Sequence, residues 1–280
     1  MTYQPVKPPL TYFGGKTRIA DRIAALMPAH EHYVEPFAGS LAVLLAKPPS
    51  PMETVNDLDG SLMTFWRVLR DRPADLERVC ALTPHSRAEF ASARRLNLAG
   101  DIDAGELETA RRVWVQLTQG RMGRSSGWRH YQDARGSSAS MPDYLAAYVG
   151  RIMPCAARLT NVSLEHKPAL DIISMYGRHA STLIYADPPY PGLARWDSDR
   201  RYEFEMLSAD EHKQFAAVVH DLPCAVMISG YDSPLYSELF GDWHRHEIPA
   251  FAGSGDGEQR ARLEVVWSNR EFPNQAERLF

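Results

Sequence analysis

The feature that most constrains this chain is Asp187-Pro188-Pro189-Tyr190, placed directly after Thr182-Leu183-Ile184-Tyr185-Ala186. The apolar pentapeptide is rich in β-branched and aromatic residues and reads as a buried strand. Two prolines cannot continue a ladder, because each lacks an N–H and has a fixed φ. The strand therefore stops, and the tetrapeptide forms a stiff turn at its carboxyl end. In open α/β sheets that edge is where ligands bind.

Such a turn suits one kind of chemistry. A carboxylate (Asp187) and a neighbouring carbonyl (Pro188) can both accept hydrogen bonds from one NH2 group. An aromatic ring (Tyr190) gives a flat base something to stack on. An exocyclic base amine is a poor nucleophile because its lone pair is conjugated with the ring, and two acceptors draw the nitrogen toward tetrahedral geometry. The same four residues also fit a plain rigid turn with a surface Asp and Tyr, so the rest of the chain must decide.

At 280 residues the chain is long enough for one α/β domain with a large insert, or for two small domains. No apolar run approaches the ~20 residues of a membrane span, and the first residues lack the pattern of a secretion signal. Three widely spaced cysteines, Cys80, Cys155 and Cys224, argue for a reducing compartment rather than a disulfide framework. No Cys or His pair has zinc-site spacing, so no metal is expected. With a net charge of −4, a chain that binds nucleic acid must gather its positive residues locally.

Near the start, Tyr12-Phe13-Gly14-Gly15-Lys16-Thr17 resembles the end of a phosphate loop. The spacing defeats that reading, because the pattern needs a glycine at position 10, which is Leu10. The two glycines still let backbone approach a ligand closely, with Tyr12 and Lys16 beside them; a simple turn into a helix over Arg18–Met27 fits equally. Tyr33-Val34-Glu35-Pro36-Phe37-Ala38-Gly39-Ser40 reads as strand, tight turn and helix (Leu41–Ala46), without a dinucleotide fingerprint. A second strand, Glu53–Asp57, ends in an acid 22 positions after Glu35. An acid about 20 residues after the first turn is how this architecture grips ribose hydroxyls. Glu35 and Asp57 together suit a ligand with a cationic group and a ribose, and S-adenosylmethionine has both.

From about Asp59 to Thr160 the periodicity is helical. Leu62, Phe65, Trp66 and Leu69 form one stripe, Val113, Trp114 and Leu117 another, and Tyr144, Leu145, Tyr148, Val149 and Ile152 a third. Ser86-Arg87-Ala88-Glu89 is a capping box. These stripes are core, and the stretch reads as an inserted domain. Between Arg111 and Arg135 it holds six arginines against a single acid, Asp133, a local excess of five positive charges. Arginine contacts phosphates and guanine edges well. Arg121, Arg124, Arg129 and Arg135 are the candidate DNA contacts, with Trp128 and Tyr131 able to stack on or wedge between bases. A solvated basic loop would have the same composition.

The α/β pattern resumes with a strand over Asn161–Glu165, a helix over Ala169–Tyr176 and the strand Thr182–Ala186. A polar loop follows from Pro191 to Glu203. Ser208-Ala209-Asp210-Glu211 opens a capped helix, followed by a strand over Ala225–Ser229, a helix over Ser233–Phe240, a turn-rich link over Phe251–Gly257 and a last strand over Arg262–Trp267. The expected architecture is an α/β Rossmann-like core, residues 1–58 and 161–280, with a helical insert at 59–160.

The order of Tyr12-Phe13-Gly14-Gly15-Lys16, Glu35-Pro36-Phe37-Ala38-Gly39, Asn56-Asp57, Asp187-Pro188-Pro189-Tyr190, Ser229-Gly230-Tyr231 and Glu264-Val265-Val266-Trp267-Ser268-Asn269 resembles the Dam-like, D12 class adenine-specific DNA methyltransferases over nearly the whole chain. The resemblance implies an S-adenosylmethionine-dependent methyltransferase core with a mixed sheet and a target-recognition domain inserted between cofactor and catalytic motifs. It implies cofactor contacts at Tyr12, Lys16, Glu35, Phe37, Gly39, Asp57 and Asp187, with catalysis at Asp187, Pro188, Pro189 and Tyr190. Tyr12 stands where some relatives carry Trp and keeps the aromatic function. The substrate implied is duplex DNA, methylated at adenine N6 after base flipping, in the cytoplasm of a bacterial or phage-infected cell. A cognate restriction endonuclease is compatible with this role.

Cytosine-N4 methylation uses the same acceptors, and a catalytically inactive DNA-binding relative would keep the same fold. A cytosine ring-carbon methylase needs a nucleophilic thiol in a Pro-Cys context; Pro154-Cys155 and Pro223-Cys224 both continue with Ala and follow no cofactor turn.

Overall fold

The computed structural model describes residues 3–99, 105–121, 127–130, 140–189, 206, 208–252 and 260–273. In chain order the elements are α1 (Ala20–Ala25), β1 (His32–Glu35), α2 (Ala42–Ala46), β2 (Met52–Asn56), α3 (Gly60–Asp71), α4 (Pro73–Ala81), α5 (Arg87–Ala99), α6 (Glu106–Gln119), α7 (Met141–Val149), α8 (Ile152–Leu159), β3 (Val162–Glu165), α9 (Ala169–Tyr176), β4 (Thr182–Ala186), α10 (Ala209–His220), β5 (Ala225–Tyr231), α11 (Pro234–Phe240), β6 (His244–Ala252) and β7 (Arg260–Ser268).

The seven strands form one mixed sheet in the order β3-β2-β1-β4-β5-β7-β6. β1 pairs parallel with both β2 and β4, and β4 parallel with β5. β7 runs antiparallel between β5 and β6. The order reverses between β1 and β4, which is the switch point where doubly wound sheets open a crevice. β1 and β4 are buried along their whole lengths, as strands covered on both faces must be. β4 is accordingly apolar from Leu183 to Ala186 without alternation, whereas β1 carries Tyr33 and Val34 between buried His32 and Glu35.

By compactness the chain divides into two units: Met1–Thr17, Gly39–Ala46 and Asp59–Leu164 in the first, and Arg18–Ala38, Lys47–Leu58 and Glu165–Phe280 in the second. In the second unit Val34, Ile184, Val226 and Ile228 from the sheet pack with Phe215 and Val219 of α10, Tyr236 and Phe240 of α11, and Trp267 of β7. In the first unit the core includes Phe65, Trp66, Leu76, Trp114, Leu145 and Ile152. Its tryptophans also donate hydrogen bonds: Trp66 Nε1 to the Gly39 carbonyl (3.1 Å) and Trp114 Nε1 to the Pro9 carbonyl (3.1 Å). Buried indoles need such partners.

Side-chain caps fix several helix starts. Asp59 Oδ1 caps α3, accepting from the amides of Ser61 (2.9 Å) and Leu62 (3.1 Å). Ser208 and Glu211 form the reciprocal capping box of α10, and the Glu89 amide donates to Ser86 Oγ at 3.4 Å.

Four features differ from the sequence expectation. The stripe from Tyr144 to Ile152 is two helices, α7 and α8, separated at Gly150 and Arg151. α4 begins on Pro73, a residue suited to the first turn, and its polar composition hides it. Phe251 and Ala252 belong to a strand, β6, rather than to a turn-rich link. α2 starts at Ala42, one residue late, because buried Leu41 adopts a left-handed φ of 54°.

Candidate active site at the carboxyl ends of the sheet

Three parallel strands deliver acidic side chains to one edge of the second unit. β1 ends on Glu35, β2 is followed by Asp57, and β4 by Asp187. The β4–β5 register pairs Ala186 with Ile228, which sets Asp187 abreast of Ser229. The Ser229 hydroxyl donates to Asp187 Oδ1 at 3.1 Å and lies 2.8 Å from the Tyr185 hydroxyl. Since the serine proton is spent on Asp187, the tyrosine is the donor in the second bond. Burial first, then the Asp187 charge, pushes the Tyr185 phenol well above its ordinary pKa. Tyr185 is therefore a fixed neutral donor at neutral pH.

Pro188 is buried and Pro189 half-buried, so the turn is clamped rather than loose. Beneath it, fully buried His212 contacts the Tyr236 hydroxyl through Nδ1 and the Met206 carbonyl through Nε2, both at 3.1 Å. Tyr190, the fourth residue of the motif, lies outside the described residues.

The turn after β1 is held by Asn56. Its Nδ2 donates to the carbonyls of Pro36 and Lys167, each at 3.0 Å, its Oδ1 accepts from the Lys167 amide at 2.9 Å, and its own carbonyl accepts from the Ala38 amide at 2.8 Å. One buried amide thus sets the positions of Glu35, Phe37 and Asp57. Glu35 is 3% exposed and accepts from the Tyr33 hydroxyl at 2.8 Å. The Phe37 ring meets Phe215 edge-on, with centroids 6.4 Å apart.

Tyr12, Lys16 and Gly39 belong to the first unit. There the Gly15 amide donates to the Tyr12 carbonyl (3.1 Å), and buried Lys16 donates from Nζ to the Gly14 carbonyl (3.0 Å). Gly39 has φ 45°, and a Cβ built on it would sit 3.1 Å from the Tyr12 ring. Glycine suits both conditions, since a side chain there would be strained in φ and would need the ring to give by a few tenths of an ångström. The chemistry of the strand-end carboxylates fits a cofactor with a cationic centre and ribose hydroxyls.

The DNA candidates divide. Arg124, Tyr131 and Arg135 lie outside the described residues. Gln119–Arg121 and Gly127–Arg129 lie side by side as a short ribbon: the Arg121 amide donates to the Gly127 carbonyl (2.9 Å), and the Arg129 amide to the Gln119 carbonyl (2.7 Å). Arg121 is exposed, and the Arg129 guanidinium lies 4.9 Å from the Tyr144 ring centroid. The Trp128 indole is stacked on His85 and His130 within the protein. Arg111 and Arg112, which contribute to the basic excess in the sequence, are paired with Glu108, and Arg111 also with Glu89. Those two are structural.

A doubly wound sheet with acids at the ends of β1, β2 and β4, and an Asp-Pro-Pro turn at the switch point, fits the chemistry of amino-group methyl transfer. The chain is a DNA adenine methyltransferase, and its residues 12–118 match the family described as D12 class N6 adenine-specific DNA methyltransferase. Type II methyltransferase M1.LlaDCHI of Lactococcus lactis subsp. cremoris is 24% identical, over 89% of this chain and 90% of that protein. Retron Ec67 DNA adenine methylase of Escherichia coli is also 24% identical, over 92% of this chain and 89% of its own. Among solved structures, a SAM-dependent methyltransferase from Agrobacterium tumefaciens overlaps at a TM-score of 0.39 and 8% identity, across 91% of this chain and 61% of that one, a likeness too distant to bear on the site. No helix among the described residues is long and apolar enough to cross a membrane.

Proposed function

We propose that this methyltransferase acts on an adenine extruded from duplex DNA, with Asp187 and the Pro188 carbonyl as the paired acceptors for its amino group. The observation that carries the reading is the Ser229–Asp187 hydrogen bond at the end of β4. It aims one carboxylate oxygen and holds the group where a flat substrate at the sheet edge would meet it. Accepting a hydrogen bond from each N–H loosens the conjugation of the nitrogen lone pair and makes the nitrogen nucleophilic; as the N–CH3 bond forms the S–CH3 bond breaks, and one N–H proton is released. Tyr190 is assigned to stacking on the base. Extrusion costs a few kcal/mol, and fixed orientation of the two reactants supplies much of the rate.

The donor in this reading is S-adenosylmethionine, which when bound supplies an electrophilic methyl on a sulfonium centre. Glu35 and Asp57 are assigned to its cationic and hydroxyl groups, and Tyr12, Lys16, Phe37, Gly39 and Asp187 to the remaining contacts. Neither a metal nor a covalent intermediate is needed. Residues 59–160 are assigned to target recognition, with Arg121, Arg124, Trp128, Arg129, Tyr131 and Arg135 at or near the DNA. The setting is the cytoplasm of a bacterial or phage-infected cell, and the protein partner this reading allows is a restriction endonuclease cutting the same site.

The test is single-molecule, modification-sensitive sequencing of plasmid DNA from cells expressing the chain or its Asp187→Ala variant. Methyladenine at one short motif, absent with the variant, is expected. Equal modification by both would overturn the assignment of Asp187.

A further inference from the structure

We infer that Arg87, on the first turn of α5, is a DNA-phosphate contact, and that Trp128 is the residue that positions it. This rests on the reading of the helical insert as the DNA-facing part. The Arg87 side chain is exposed, and its guanidinium carbon lies 4.5 Å from the Trp128 ring centroid. A stacked guanidinium keeps its N–H edge free to meet phosphate oxygens, which a lysine ammonium in the same place could not do as a planar fork.

Trp128 is built to hold that geometry. The His85 ring lies nearly parallel to the indole at 4.4 Å (16°), and His130 at 5.4 Å (14°). Indole Nε1 donates to Gln119 Oε1 at 3.4 Å. The same oxygen accepts from the Ser86 amide (3.3 Å), and Gln119 Nε2 donates to the Pro84 carbonyl (3.0 Å). His85 Nε2 lies 2.9 Å from the Arg129 carbonyl and so carries the proton. The ribbon at 119–121 and 127–129 is thereby laced to the segment leading into α5, and Trp128 joins the two.

The charge pattern identifies the ligand class. Arg87, Arg121 and Arg129 make no ion pair among the described residues, while nearby Arg111 and Arg112 do. Arg87 and Arg129, seated on aromatic faces and without an acid among the described residues, suit a polyanion. A duplex backbone offers phosphates in series, and contacts to it set register rather than sequence.

The experiment is equilibrium binding of the full-length protein to a fluorescent duplex, carrying or lacking the methylated motif, across a salt series. Arg87→Ala is expected to weaken both duplexes alike, by about tenfold, and to reduce the slope of log K against log salt by about one. Arg87→Lys should keep the slope and lose part of the affinity. Trp128→Leu should weaken binding, Trp128→Phe should restore it, and Arg87→Ala should add little on top of Trp128→Leu, because the two act as a unit. Parental binding with an unchanged Arg87→Ala variant would overturn this inference alone. Full additivity of Arg87→Ala and Trp128→Leu would overturn the positioning role. A parent that binds neither duplex would overturn the DNA reading of the insert and this inference with it.

Discussion

Ser229, on β5, reaches across to donate a 3.1 Å hydrogen bond to Asp187, the residue that ends β4. Tyr185, two residues before Asp187, donates in turn to that serine. The carboxylate to which the proposed mechanism assigns the chemistry is thus oriented by a neutral two-member relay inside the sheet.

Ser229→Ala is therefore expected to slow methylation while leaving the fold intact. Loss of one hydrogen bond to a charged acceptor is worth about 1.5 kcal/mol or somewhat more, which corresponds to roughly a tenfold fall in rate. Initial rates of methyl incorporation into duplex DNA check this. An unchanged rate would show that the relay does not hold the reacting carboxylate.

Gly39→Ala should weaken cofactor binding. At φ 45° an alanine is strained by about 1–2 kcal/mol, and its Cβ would press on the Tyr12 ring at 3.1 Å. Isothermal titration with S-adenosylmethionine should show a loss in affinity of about five- to thirtyfold, the equivalent of that strain.

The Lys47–Glu53 pair is almost wholly enclosed, at 2.6 Å and with both side chains 3% exposed. Lys47→Met leaves a buried carboxylate and is expected to cost about 3–5 kcal/mol. Replacing both by apolar residues should recover much of it. Denaturant unfolding of the two single variants and the double variant tests the coupling.

Stability should decline as pH falls below 6.5. Burial is the main cause that lowers the pKa of His30, His32 and His212 from the ordinary 6.5. Their contribution is complete above 6.5, where folded and unfolded forms are both neutral. It is lost as pH falls from 6.5 toward the depressed folded values, because the unfolded chain takes up protons first. Urea midpoints between pH 7.5 and 5 should fall, and His212→Gln should flatten part of the slope.

The three thiols should be inert in the native protein. All are buried; burial pushes Cys155 up to about 12 and Cys224 to about 11, and Cys80 higher still. Thiolate is the reactive form. A thiol reagent should label none in the native state and all three in denaturant.

The strand Thr182–Ala186 was legible to the residue because β-branched and aromatic types precede two prolines, and both signals are local. The cap at Ser208 was legible for the same reason. β6 was not. Its sequence, His244-Arg245-His246-Glu247-Ile248-Pro249-Ala250-Phe251-Ala252, is polar and contains a proline, and an edge strand tolerates both because only one side pairs, here with β7. Arg111 and Arg112 counted as part of a basic loop, yet Glu108 sits three and four residues upstream on the same helix face, a spacing the sequence does carry.

What the sequence by itself determined is which side chains stand at the ends of the strands: Glu35, Asp57 and Asp187 follow short runs whose stop signals lie within a few residues of them. What only the tertiary structure decided is which distant groups those side chains meet. Asp187 finds Ser229 across 42 positions, and Asn56 finds Lys167 across 111. Trp128 finds His85 on the far side of α6 in the chain. Strand order and helix packing choose such partners, because each contact forms only after many others have fixed where the two backbones lie.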